Sequence, residues 1–184
     1  MSDDGPLLDD GKIRELLTEL GARLEAQGLS ARIFLVGGAA MALAINARRS
    51  TRDLDGVFEP KSAIYSEVAK MAEEHGLPPD WLNDSVKGLL PDKVGTEVGA
   101  HLDAPGISVE IASAEYLFAM KAKAAREGVD TDDLKTLARH LKLGGAEEAI
   151  ALVERFYSPY HLKPVTRYLL EDLFQPDDGA PDPP

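Results

Sequence analysis

The sequence predicts an α/β (α+β) fold, a small mixed sheet flanked by helices, with a helical region at its C-terminal end. Three observations predict it. Short apolar runs at 31–36, 53–58 and 107–111 are bounded by glycine or proline and have the length of strands. Segments with apolar residues at helical spacing separate them. Beyond residue 112 only helical patterns recur.

Residues 1–10 read as a flexible acidic arm. Over 11–26, Ile13, Leu16, Leu17, Leu20 and Leu24 recur at helical spacing, and Gly28 closes the helix. Residues 31–36 form a buried strand that stops at Gly37-Gly38. Residues 39–47 are a helix of small residues suited to close packing on a sheet. The second strand, 53–58, ends at Pro60. A helix over 62–74 follows, with Ser62 as its N-cap and Gly76 as its stop.

The stretch 77–105 carries Pro78, Pro79, Pro91, Gly95, Gly99 and Pro105 and predicts short helices and loops, with a strand near 93–98. Trp81, Leu82, Leu89 and Leu90 tack it to the core. The alternating run 107–111 is the third strand. Helices follow over 114–126, over 132–142 with Thr131 as cap, over 146–157 after Gly144-Gly145, and over 165–174. The tail reads as disordered. The resulting organisation is an arm at 1–10, a core at 11–112, a helical region at 113–174 and a tail at 175–184.

With 32 acidic against 20 basic residues the formal net charge is −12, which argues against non-specific coating of nucleic acid. Much of the excess lies at the ends, in Asp3, Asp4, Asp9 and Asp10 and in Glu171, Asp172, Asp177, Asp178 and Asp182, where it also serves solubility. The absence of cysteine excludes disulfides, thiolate metal sites and a cysteine nucleophile. No apolar run approaches the ~20 residues of a membrane span, so no membrane association is expected. The N-terminus lacks the pattern of a signal peptide, and a cytoplasmic address is expected.

The chemistry concentrates in 33–58. Asp53 and Asp55, spaced i, i+2, project from one side of an extended strand and can address one divalent cation. Mg²⁺ favours such oxygen ligands, together with substrate phosphates. The preceding Gly37-Gly38 lets backbone approach those phosphates. The competing reading is a surface pair that caps turns and pairs with Arg48, Arg49 or Arg52. Glu110, between Val109 and Ile111, is an acid mid-strand that calls for a partner or a metal; otherwise it is an exposed acid on an edge strand. Arg49 and Thr51 precede the aspartates by even steps and share their face if the strand has begun, where Arg49 can clamp phosphate or orient Asp53. A local salt bridge is the alternative for Arg49. Lys121 and Lys123 sit on the helix after the Glu110 strand, where a lysine can reach a triphosphate or simply be solvated. The histidines show no metal-ligand spacing, and Trp81, Phe156, Tyr157 and Tyr160 read as packing residues.

This order of elements resembles the nucleotidyltransferase superfamily of the DNA polymerase β-like fold, in which a Gly-Gly or Gly-Ser turn, a helix and an Asp-x-Asp strand follow one another. Within it, Arg49-x-Thr51-x-Asp53-x-Asp55 looks most like the AbiEii-type toxin nucleotidyltransferases. The resemblance implies Mg²⁺ as cofactor, metal ligation by Asp53, Asp55 and Glu110, and nucleotide binding by Gly37, Gly38, Arg49, Thr51 and Lys121. It also implies a role for Asp133, with Asp132 behind it, in orienting Lys121 or Arg126; the alternative is a helix N-terminus stabilised by the macrodipole. The chain departs from many active relatives after Gly37, where they carry Ser and this chain has Gly38 and Ala39.

The reaction implied is transfer of a nucleoside monophosphate from an NTP to an acceptor hydroxyl. The acceptor expected is a tRNA 3′ end and the expected role is that of a toxin with a cognate antitoxin protein. The alternatives are a small-molecule or protein acceptor and a non-catalytic module that binds a nucleotide or a partner. A basic groove for RNA would draw on Arg48, Arg49, Arg52, Lys121, Lys123 and Arg126.

Overall fold

The computed structural model describes residues 5–45, 50–91, 98–124, 131–159 and 162–175. It has the mixed α/β architecture expected. The chain divides into two compact units, Met1–Leu90 with Gly95–Leu117, and Pro91–Val94 with Phe118–Pro184.

The first unit holds a five-stranded sheet, in spatial order β3-β2-β1-β5-β4. Its strands are β1 (Ala31–Val36), β2 (Leu54–Glu59), β3 (Leu82–Asn83), β4 (Val98–Ala104) and β5 (Ile107–Ala112). β1 runs antiparallel to β2 and parallel to β5, and β4 and β5 form a hairpin. The helices are α1 (Asp10–Glu25), α2 (Gly37–Ala44), α3 (Lys61–His75) and the first turn of α4 (Ala114–Ala124), with a 3₁₀ turn over Ser85–Leu89.

Side chains alternate across the sheet. Ile33, Leu35, Leu54, Phe58, Ile107, Val109 and Ile111 are buried on one face, where Gly21 of α1 lies against Ile107 and Tyr65 of α3 against Phe58. On the opposite face Arg32, Glu59 and Ser108 are exposed, while Phe34, Asp55, Val57 and Glu110 are half-buried. Ion pairs join α1 to α3. Glu67, almost fully buried, accepts from Lys70 Nζ at 2.7 Å and Gln27 Nε2 at 2.9 Å, and Arg23 bonds Glu19 and Glu74.

Several expectations need correction. The acidic arm does not extend to residue 10. Leu8 is buried and exchanges two backbone hydrogen bonds with Thr51, and Asp9 caps α1 by accepting from the Lys12 amide at 2.8 Å. Pro60, not Ser62, occupies the N-cap of α3, with no side-chain hydrogen bond. In 77–105 the 3₁₀ turn fits the short helices expected, and the strand expected near 93–98 lies outside the described residues except for Val98. β4 takes Val98–Ala104 in place of loop, since its polar alternation is tolerated on a strand half exposed at the sheet edge. The helix of small residues begins at Gly37, so the glycine pair forms its first turn rather than a loop before it.

The second unit holds the remainder of α4, α5 (Thr131–Leu141), α6 (Ala146–Phe156) and α7 (Pro164–Leu173). Leu134, Leu137, Val153, Phe156, Tyr157 and Leu170 form its core, and Lys123 Nζ stands 4.2 Å above the Tyr157 ring. Of the predicted tail, 175–184, residues 176–184 lie outside the described residues. Among the described residues no helix is long and apolar enough to cross a membrane.

Candidate active site

The junction of β1 with α2 is built on two glycines. Gly37 has φ +65, in the left-handed region, and a β-carbon there would stand 3.1 Å from Asp55 Oδ2. A β-carbon on Gly38 would stand 2.6 Å from Thr51 Oγ1. Only glycine permits both approaches. The register places Val36 beside Asp55, so the first turn of α2 opens at the Asp55 carboxylate. Val36 caps that helix without a side-chain hydrogen bond, which leaves its first amides to other acceptors.

β2 begins at Leu54 rather than at residue 53. Strand alternation therefore fixes the side of Asp55 but not that of Asp53, and the same holds for Thr51. Thr51 is instead a tie: its backbone bridges to Leu8 and its hydroxyl donates to the Asp53 carbonyl at 3.0 Å. Asp53 is exposed, and its carboxyl is pushed above its ordinary range first by partial desolvation and then by the negative charge of Asp80.

Glu110 faces the same side of the sheet as Asp55. It pairs with Phe34 on β1, two residues short of the Val36–Asp55 row, and with His101 on β4. Two strand spacings separate it from Asp55, about 10 Å across the sheet. It has no hydrogen-bond or ion-pair partner among the described residues.

The sequence reading missed a group of residues around these acids. Asn83 on β3 pairs with Asp55, and the Ser85 hydroxyl donates to Asn83 Oδ1 at 2.6 Å, with Asp55 Oδ1 at a looser 3.5 Å. Asp84 accepts from Lys61 Nζ at 2.8 Å, from Tyr65 Oη at 2.7 Å and from Lys87 Nζ, and these donors hold its carboxyl well below the usual range. Lys61 and Lys87 also line a hollow of about 510 Å³ on the open face, with Arg32, Phe34, Glu59 and Glu110. No motif marks these positions; they meet through the pairing of β2 with β3 and of β1 with its neighbours.

Lys121 and Asp133 lie in the second unit, where Lys121 Nζ bonds Asp133 Oδ2 at 2.7 Å, both side chains largely shielded. Asp132 heads the same helix. Arg48, Arg49, Arg126, Asp130, Tyr160 and His161 lie outside the described residues.

Asp53, Asp55 and Glu110 offer only carboxylate oxygens, the donor chemistry of a hard divalent cation. The crowding of Asp53 by Asp80 is a charge that such a cation would offset. Among the described residues, the group of three candidate ligands whose donor atoms converge within 4.8 Å is a different one, Glu19, Glu74 and His75. Its positions on α1 and α3 are taken by Arg23, which bonds both glutamates, and by the His75–Glu19 contact at 2.8 Å. That cluster is a helix–helix clamp.

No family model matches the sequence, and no curated protein matches it. Among solved structures the chain is similar to an antigenic nucleotidyltransferase-like protein from Paracoccidioides brasiliensis, at 12% identity over 82% of this chain and 89% of that one, with a TM-score of 0.44.

Proposed function

We propose that this chain is a metal-dependent nucleotidyltransferase that moves a nucleoside monophosphate from an NTP to the 3′ end of a tRNA, as the toxin of a toxin–antitoxin pair. One observation carries the enzymatic part: the first turn of α2 and the Asp55 carboxylate meet at Gly37. Free amides at a helix start favour phosphate, and a carboxylate beside them would favour a divalent cation. Mg²⁺ held by Asp53 and Asp55 would neutralise charge developing on the α-phosphate and on departing pyrophosphate.

In this reading the amides of Gly37 and Gly38 orient the triphosphate. The acceptor hydroxyl oxygen forms a bond to the α-phosphorus, the α–β phosphoanhydride bond breaks, and pyrophosphate leaves. Glu110, half-buried and unpaired among the described residues, takes the hydroxyl proton or completes the metal ligands. The resemblance would give Arg49 and Thr51 an assisting role at the triphosphate. The tRNA acceptor and the toxin role rest on the resemblance of the Arg49–Asp55 segment to AbiEii-type proteins.

The test is incubation of the protein with total tRNA, Mg²⁺ and each α-labelled NTP in turn, beside Asp55→Asn. Label on tRNA that vanishes in the variant supports the proposal and names the base. No label with NTP binding intact moves the search to small-molecule or protein acceptors. The absence of both label and NTP binding favours a non-catalytic module, a reading that the hydroxyl-free Gly38-Ala39 also supports.

A further inference from the structure

We propose that the hollow on the open sheet face seats the 3′-terminal nucleotide of a single-stranded nucleic-acid acceptor, with its phosphate on Lys61, Lys87 and Arg32 and its base on Phe34. The inference rests on the nucleotidyltransferase reading for its chemistry, though not for the binding itself.

The hollow, about 510 Å³, is within the usual range of ligand sites. Its cations have charge to spare. Lys61 and Lys87 share the single carboxylate of Asp84, and each ammonium keeps further N–H donors. Arg32 is exposed and makes no ion pair among the described residues. Phe34, half-buried beside them, is held edge-on by Tyr116, with ring centroids 5.4 Å apart. An aromatic surface with cations beside it is the pattern that binds single-stranded nucleic acid.

Position gives the hollow its role. Glu110 lines it and lies one row of side chains from the Asp55 row, so a nucleotide seated there brings its hydroxyl to Glu110 from the side opposite the Gly37 turn. Glu59, cross-strand neighbour of Arg32, and Glu110 are the carboxylates that line the hollow, and Glu59 is the one beside the proposed phosphate seat.

The experiment measures binding of a 5′-fluorescein-labelled single-stranded RNA hexamer by anisotropy at several salt concentrations. Wild type is compared with a Lys61→Ala, Lys87→Ala double variant and with Glu59→Gln. The double variant should bind about tenfold or more weakly, and its salt slope should fall by about 0.7 for each phosphate no longer neutralised. Glu59→Gln should bind more tightly, a gain that damage to the fold would not produce. Failure of the wild type to bind, or equal affinity and slope in all three proteins, overturns the proposal. RNA bound in the hollow without transfer of label sinks the enzymatic reading alone. Transfer to RNA with an unchanged KM in the double variant sinks the hollow alone.

Discussion

Gly37 and Asp55 meet so closely that a β-carbon on the glycine would stand 3.1 Å from Oδ2 of the aspartate, and the backbone there has φ +65. The start of α2 and the carboxylate of β2 are therefore one structural unit. Gly37→Ala should cost about 1–2 kcal/mol for the left-handed conformation alone. Urea unfolding followed by Trp81 fluorescence checks this, since Trp81 is fully buried and is the single tryptophan. Displacement of Asp55 should also lower nucleotidyl transfer by about tenfold or more. Transfer unchanged in a folded variant would detach this junction from the chemistry.

Gly38 and Thr51 form a second tight contact, 2.6 Å from a β-carbon on the former to Oγ1 of the latter. Gly38→Ala should destabilise by about 1–3 kcal/mol through overpacking. Thr51→Ala removes the clashing oxygen, so the double variant should be more stable than the sum of the two single changes. A double-mutant cycle by urea unfolding reads the coupling; additivity would place the strain elsewhere.

The Lys121–Asp133 pair joins α4 to α5, with side chains 23% and 13% exposed. Removing one partner of a shielded charge pair leaves the other charge uncompensated, which costs more than it does in open water. Asp133→Asn should therefore cost about 1–2 kcal/mol. Glu15→Gln, which breaks the Lys12–Glu15 pair on the exposed side of α1, should cost under about 0.5 kcal/mol. Equal costs in parallel denaturation curves would show that shielding contributes nothing here.

Glu67 should make stability depend on pH. Hydrogen bonds from Lys70 and then Gln27 hold its carboxyl below the ordinary 4.5. Its folded pKa thus lies under the unfolded one, so its contribution is complete above about 4.5 and fades as pH falls through the folded value. Glu67→Gln should be less stable than wild type by about 1 kcal/mol at pH 7, with the gap narrowing in acid. A gap that stays constant between neutral and acid pH would contradict this account.

The local elements were legible because their periodicity is a property of short segments. β1 falls at 31–36 as read, and the apolar ladder from Ile13 to Leu24 gives α1 to within a residue. Asp-x-Asp and Gly-Gly stood out as residue patterns, although the start of β2 at Leu54 leaves Asp53 outside the alternation that first joined the two acids. β4 was not legible. Its Gly99, His101 and Asp103 carry no strand signal, and pairing with β5 makes it a strand.

By itself the sequence determined the fold class, the core faces of its strands and helices, and the glycine pair and acid pair that lie one helix apart. Tertiary structure alone decided that Gly37 touches Asp55, that Ser85 and Asn83 stand beside it, and that Arg32, Lys61 and Lys87 gather around one hollow with Glu110. The physical reason is range. Periodicity and capping act over a few neighbouring residues, whereas these groups lie on separate segments that meet only when strand register is set by burial of the sheet's apolar face.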